Sequence, residues 1–326
     1  MLLSRVAESL YWAGRYLERV ECTARIVGEH TNLIVDLPYS ATVTWEPLLA
    51  IVGTREDFDA AHVVANEASV VGWLIASKDN PSSLVSSIGA ARENLRTTRE
   101  VLPRRAWQTV NDLFLYIAAS YPDGVARSGR SRFMEKVIGE TQRVVGVLSG
   151  TMSRDEAYEF LRLGRNLERA DMTSRVLDVL AGSLMSARDS IEFSVADQHA
   201  DVQWASVLRS LSALQMFHRS RREPVSGDAV VEFLLTDERF PRSVKHCVRE
   251  VRRCVGALPR AELLEPACLA AEVTLAAELI APDQPVGSTG LAPLELHRLA
   301  DRVQLALGDI HTAVADAYFL SGLGAN

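Results

Sequence analysis

A chain of 326 residues that is 48% hydrophobic, 24% charged and only 6% aromatic is globular in make-up, large enough for one big domain or two small ones. Disorder is excluded as a global description, and the sparse glycine (19) and proline (12) disfavour a loop-rich sandwich or a disulfide-stapled miniprotein. Thirty-five Lys and Arg stand against 42 Asp and Glu, a net charge of -7 with no basic half, so nucleic-acid binding is not expected.

The first predicted element runs from Leu2 to about Val35. No proline interrupts it, and Leu10, Ala13, Leu17, Val20, Ala24 and Val27 recur in steps of three and four, the pattern of a long helix with one narrow buried seam. Further helices are predicted over 44–52, 66–76, 81–101, 103–120 and 131–148. A second long helix starts after Ser153, read as an N-cap with Glu156 completing a capping box, and continues through Phe160, Leu163, Leu167, Ala170, Ser174 and Leu177. Helices over 201–218, 228–235, 241–258, 263–280 and 293–319 complete an all-α chain without strand patterns. Punctuation falls at Asn80-Pro81, Tyr121-Pro122-Asp123-Gly124, Glu223-Pro224, Phe240-Pro241 and Ala281-Pro282-Asp283.

Arg5, Glu8 and Arg15 lie where a signal peptide would be apolar, so the N-terminal segment reads as part of the folded domain. No apolar run approaches the roughly 20 residues of a membrane span, and membrane insertion is not expected. Cys22, Cys247, Cys254 and Cys268 form no C-x-x-C pair and read as reduced thiols of a cytoplasmic protein.

The chain also repeats itself. Residues 14–25 (GRYLERVECTAR) and 164–175 (GRNLERADMTSR) share Gly, Arg, Leu, Glu, Arg, Thr and Arg at matched positions, with Glu21 matched by Asp171. Downstream, the segment from Val70 to Ser83 aligns without gaps on that from Val230 to Ser243, pairing Trp73 with Phe233 and Pro81 with Pro241. The expectation is a tandem duplication, with repeats of about 1–150 and 151–326, folded as one helical bundle with pseudo-twofold symmetry.

On a helix, Gly14, Glu18, Glu21 and Arg25 lie together beside the apolar seam while Arg15 and Arg19 turn progressively away; Gly164, Glu168, Asp171 and Arg175 repeat the arrangement. Glu21 to Arg25 and Asp171 to Arg175 are i,i+4 pairs in the favourable order. If the two helices face each other, Glu18, Arg25, Glu168 and Arg175 meet in a buried charge network. Desolvation makes such a network poor evidence for stability, so it reads either as a structural specificity device or as a ligand site. Arginine forks beside carboxylates suit a zwitterion such as an amino acid or a peptide terminus. Glu18 or Glu168 as a general base is the enzymatic alternative, weakened by the adjacent arginines that hold a glutamate ionised. The acidic i,i+3 pairs resemble carboxylate di-metal bundles, yet no His stands at the required spacing and the arginines repel a dication, so neither metal nor cofactor is expected.

Other polar marks carry less. Arg92, Glu93, Arg96, Arg99 and Glu100 share a helix and read as a solvated face, with Arg92 and Arg99 at i,i+7 as the interior alternative. Pro241-Arg242-Ser243 reads as a helix start, with Arg242 as an anion ligand in the alternative reading. His62, His218, His246 and His311 match no metal spacing, and no P-loop, G-x-G-x-x-G or G-x-S-x-G string occurs.

The pair LYWAGRYLER from Leu10 and LGRNLERAD from Leu163, followed by Phe240-Pro241-Arg242-Ser243, resembles the bacterial alpha-E family, helical proteins of unknown function named for a Glu-Arg motif. The resemblance covers nearly the whole chain. It implies gene neighbours encoding a circularly permuted ATP-grasp protein and a transglutaminase-like peptidase. It thereby implies an accessory protein that works with an amide ligase, docking it or presenting an amino-acid or peptide substrate. The candidate ligand- or partner-binding residues are Arg15, Glu18, Arg19, Glu21 and Arg25, their counterparts Arg165, Glu168, Arg169, Asp171 and Arg175, and beside them Arg92 and Arg242.

Overall fold

A computed structural model of the chain describes residues 2–36, 43–61, 64–181, 200–221, 224–279 and 293–319. His62, Glu223, the predicted helix end at Ile280 and the Ala281-Pro282-Asp283 break lie outside the described residues. Among those described, the chain is all α: α1 (Ser4–Asp36), α2 (Glu46–Val52), α3 (Arg55–Ala61), α4 (Glu67–Ile75), α5 (Leu84–Thr97), α6 (Arg104–Val125), α7 (Arg127–Thr151), α8 (Glu156–Val176), α9 (Ala200–Ser210), α10 (Leu214–Ser220), α11 (Gly227–Thr236), α12 (Val244–Gly256), α13 (Glu265–Leu279) and α14 (Pro293–Tyr318). A single π turn, Leu177–Ala181, prolongs α8. No described helix is long and apolar enough to cross a membrane.

Helix starts follow local side-chain chemistry. Asn66 caps α4 in a reciprocal box with Ser69, Ser83 caps α5 by accepting from the Ser86 amide, and Ser243 caps α12 by accepting from His246. Pro81 and Pro241 therefore stand in the turns before these helices, not in their first turns. The cap of α8 is Asp155, which accepts from the Tyr158 amide, and not Ser153; Glu156 instead accepts from the Leu2 amide at 2.6 Å. A carboxylate at the cap also favours the positive end of the helix dipole.

Three other boundaries differ from the sequence pattern. The predicted helix over 201–218 is broken into α9 and α10, because Ser212 takes a left-handed conformation with φ 53°. Conversely, α6 runs on through Pro122 to Val125, where Gly124 lies against the Phe133 ring of α7. The short α3 escapes the pattern because it buries only Phe58.

The centre of the bundle is the pair α1 and α8. Helices α5, α6 and α7 pack in succession beside α1, while α12, α13 and α14 pack in the same succession beside α8. The central pair approaches backbone to backbone. A Cβ on Gly14 would lie 2.1 Å from the Leu161 carbonyl oxygen, and one on Gly164 would lie 2.0 Å from that of Tyr11. Only glycine permits this approach, and the contact is reciprocal about the crossing point.

Candidate functional site

The glycine crossing determines what happens one turn further along each helix. With α1 and α8 in backbone contact, the side chains flanking the seams reach over the opposite helix. Glu168, 1% exposed, accepts from Arg15 Nε at 2.7 Å and from Arg19 Nε at 2.6 Å. Glu18, fully buried, accepts from both Nε (2.8 Å) and Nη2 (2.7 Å) of Arg169, a two-pronged pairing. Arg15 and Arg19 thus point into the interface and not away from it, as a single-helix projection suggests. The projection omits the neighbour that the two glycines bring within reach.

A third element enters at Glu18. Arg242, in the turn before α12, donates from Nη1 to Glu18 at 2.6 Å and from Nη2 to Glu21 at 2.8 Å. Its own carbonyl accepts from Thr173 at 2.9 Å. The helix-start role expected around Arg242 belongs to Ser243, and Arg242 is the buried ion-pair partner of two glutamates. Glu21 further accepts from Arg25 (Nη2, 2.6 Å) and Gln142 (3.3 Å).

Arg25 and Arg175 do not join the Glu18 and Glu168 pairs. Each pairs with a carboxylate of its own helix, Arg25 with Glu21 and Arg175 with Asp171 at 3.0 Å, and Arg25 also donates to Ser212 between α9 and α10. The four-membered network of Glu18, Arg25, Glu168 and Arg175 is replaced by crossed pairs, each glutamate taking the arginine that follows its counterpart. Arg92 lies elsewhere altogether. Half-buried between α5 and α6, it donates to Asn111 at 2.8 Å and stands over the Phe114 ring at 4.7 Å, so it belongs neither to a fully solvated face nor to this cluster.

The electrostatics follow from burial set against these arginines. Burial alone pushes the Glu18 carboxyl up, but Arg169 and Arg242 outweigh it and hold the group well below the usual carboxylate range. Glu168 is lowered in the same way, burial being outweighed by Arg19 and Arg15. Burial raises the Asp171 carboxyl, with Arg175 opposing. Burial also pushes the neighbouring Cys22 thiol up and the Tyr11 hydroxyl up to about 12. Two ionised, fully engaged carboxylates make poor proton acceptors, and the thiol beside them is protonated, hence a poor nucleophile.

Arg165 differs from every other arginine of the motif. Its Nε is buried with no hydrogen-bond acceptor, and among the described residues it forms no ion pair; burial and the charge of Arg169 lower its pKa. It lines a cleft of about 10 Å³ between α1, α7 and α8. A roomier cleft of about 90 Å³ opens between α1 and α7, where Arg25 and Arg209 face Glu29, Asn32 and Glu135.

Sequence reasoning missed three features. Gln142 joins Glu21 from α7, and His311 of α14 shares a 2.8 Å hydrogen bond with the Tyr11 hydroxyl; neither leaves a spacing signal. Asp178, His297 and Asp301 bring ligand atoms within 4.8 Å of one another and are the described group able to hold a metal ion. His297 and Asp301 at i,i+4 would have shown half of it. His297 bridges the two carboxylates, 2.7 Å from Asp178 and 3.5 Å from Asp301, and the bond to Asp178 raises its pKa.

With this geometry in hand, the comparisons with known proteins are informative. A family model, Alpha-E, described as a predicted alpha-helical domain with a conserved ER motif, matches residues 2–319. Uncharacterized proteins of Mycobacterium bovis and Mycobacterium tuberculosis are 22% and 21% identical to the chain over 280 residues. The overlap takes in 78% of this chain but 30% of each relative, so the chain spans less than a third of the length of these curated relatives. No solved structure matches. The chain belongs to the Alpha-E family.

Proposed function

We propose that this Alpha-E chain is a helical accessory protein that works with an ATP-grasp amide ligase and a transglutaminase-like peptidase, holding an amino acid or peptide terminus while those partners make or trim the amide bond. The observation that carries the binding half of this reading is the cleft of about 90 Å³ between α1 and α7. Arg25, an arginine of the first ER segment, ends there. Arg209 lines the same cleft, bonded through Nε to Glu29 at 3.0 Å, with a buried Nη2 that makes no hydrogen bond and lies 3.9 Å from Asp36; the exposed Glu135 lines it without an ion pair among the described residues. An arginine Nη2 with no hydrogen bond and a carboxylate with no ion pair, both lining one small cleft, complement the carboxylate and ammonium ends of a zwitterion. The amide-bond half of the reading comes from what the family resemblance implies.

The ER glutamates support an accessory role over an enzymatic one. Glu18 and Glu168 spend their oxygens on arginines of the opposite helix and the α12 turn, so their role is to clamp the bundle. Those arginines hold both carboxyls below the range suited to general-base work. The proposal takes the two ER segments as copies of one ancestral unit. A pure docking module is the second reading, favoured by the length of the relatives, in which the region matching this chain is one part of a longer protein.

Calorimetric titration of the full chain with glycine, alanine, glutamate and dipeptides tests the binding half. Saturable heat with wild type, lost in Arg209→Met at an unchanged melting midpoint, is the expected result. No heat with any of these probes rejects the ligand-holding reading and leaves docking, which co-sedimentation with the ligase then tests.

A further inference from the structure

The acidic residues of the ER segments are each matched by an arginine, and one carboxylate further along α8 is not. Asp171 and Asp178 lie about two turns apart on that helix and its π turn, and their side chains are equally covered, 17% exposed each. Asp171 pairs with Arg175 at 3.0 Å. Asp178 has no lysine or arginine partner among the described residues; its partner is His297 of α14, with Nδ1 at 2.7 Å. One turn further along α14, Asp301 stands 3.5 Å from the other ring nitrogen, and it too pairs with no lysine or arginine among the described residues. The position matched to Asp178 in the first half is Gly28, so the arrangement belongs to the second half alone.

Two aspartates that converge on one histidine, with no fixed cation between them, leave negative charge uncompensated whenever the imidazole is neutral. A divalent cation compensates both and uses the ring nitrogen as well. The spacing suits one. His297 and Asp301, four residues apart, share a face of α14. That helix packs against α8 and its π turn, which brings Asp178 in from a second element. The three ligand atoms lie within 4.8 Å of one another. A point therefore exists no more than about 2.8 Å from all three, and bonds of about 2.0–2.2 Å to zinc require each atom to move by less than about 1 Å. His297 and Asp301 are 55% and 52% exposed, so their side chains can turn without disturbing the core. The same exposure leaves coordination positions open to water.

We infer that Asp178, His297 and Asp301 form a binding site for one divalent transition-metal ion of the zinc class, with three protein ligands and water in the remaining positions. The imidazole decides the class. Magnesium and calcium take oxygen ligands, whereas a ring nitrogen beside two carboxylates suits zinc or nickel. The ER glutamates do not compete for the ion, because arginines engage them, and the four cysteines are buried. A bound ion ties the end of α8 to α14. The site uses no residue of the α1–α7 cleft, and its test stands apart from the accessory reading.

Calorimetric titration of the untagged full chain with zinc chloride, after EDTA treatment and dialysis, tests the inference beside thermal melting with and without the salt. Wild type is expected to bind one zinc saturably and to melt higher with it. The affinity should fall by roughly tenfold or more in His297→Ala and in Asp178→Asn. It should stay at the wild-type level in His218→Ala, an exposed histidine outside the cluster. Ring ¹⁵N signals of His297 should move in a one-to-one titration, and those of His218 should not. Where Asp178→Asn folds poorly, Asp301→Asn carries the same comparison from an exposed position. Magnesium chloride at the same concentration should leave the wild-type midpoint where it was. Absence of saturable zinc binding would overturn the inference, as would an affinity unchanged in His297→Ala or a midpoint raised as far by magnesium as by zinc.

Discussion

The two ends of the charge clamp are built from matching sequence segments and solved differently. At Glu168 both donors, Arg15 and Arg19, come from one helix and remain 13% and 18% exposed. At Glu18 the donors are Arg169 and a loop residue, Arg242, 11% and 8% exposed, and the carboxylate is closed off completely. A helix fixes which arginines are within reach of a glutamate. Spacing on one helix does not decide which of them is used: at Glu18 it is Arg242, more than seventy positions beyond Arg169, while Ser82 stands at the matched position of the first segment. The deeper end is therefore fastened to a third element, α12, and leaves one arginine over.

The largest expected effect comes from neutralising the two glutamates separately. Removing one partner of a buried ion pair strands its cations, at a cost of about 3–5 kcal/mol. Glu18→Gln strands Arg169 and Arg242 with Arg165 close by, whereas Glu168→Gln strands two arginines that are partly solvated. Urea unfolding should show the Glu18 variant as the less stable, with similar m-values for both. Equal losses, or a larger loss at Glu168, would remove the asymmetry on which the comparison stands.

A second contrast between the halves is acid sensitivity. His30 of α1 is 5% exposed against Trp45, with its Nε2 unpaired, while Leu180 stands at the matched position. Burial lowers the His30 pKa from 6.5 to about 4, only partly opposed by the hydrogen bond to the Thr44 backbone and by Glu67. Since the folded value lies below the unfolded one, the unfolded chain binds the extra proton between them. The stability that depends on neutral His30 is complete above pH 6.5 and is lost as pH falls towards 4, by roughly 3 kcal/mol. His30→Leu should flatten the stability curve in that window and leave the steeper loss below it, where the lowered carboxyls of Glu18 and Glu168 titrate. A wild-type curve already flat from 6.5 to 4 would place His30 in contact with water.

Much of this was legible in the sequence. Helical periodicity gave α1 and α8 within a few residues, and the repeated GRxLER segment located the centre of the bundle, because glycine and alternating apolar residues report a close, one-sided packing face. The pairing within that centre was not legible. Arg15 and Arg19 turn towards Glu168 because of a neighbouring helix, and Arg242 reaches Glu18 because the turn before α12 folds back over α8; neither follows from spacing along one helix. Helix ends failed where tertiary contacts outvoted local signals, as when Glu156 left its capping box for the Leu2 amide. The break at Ser212 failed for a different reason, since a single left-handed serine carries no compositional mark.

The smallest expected effect separates spacing from burial as the source of strength. Glu21 to Arg25 and Asp171 to Arg175 are the same i,i+4 pair at the same positions, so any rule based on spacing gives them equal value. Their surroundings differ. Arg25 and Glu21 are 11% and 4% exposed, and Glu21 also holds Arg242 and Gln142; Arg175 and Asp171 are 32% and 17% exposed. Water screens the second pair and competes for its hydrogen bonds, which limits Arg175→Ala to about 0.5 kcal/mol. Arg25→Ala withdraws charge-assisted bonds from a buried carboxylate that cannot rehydrate, at about 1.5–3 kcal/mol. Chemical denaturation of the two single variants reads the difference directly. Matching losses would mean that Glu21 recovers its balance through Arg242 alone, and the third element would then be the principal partner of the first helix.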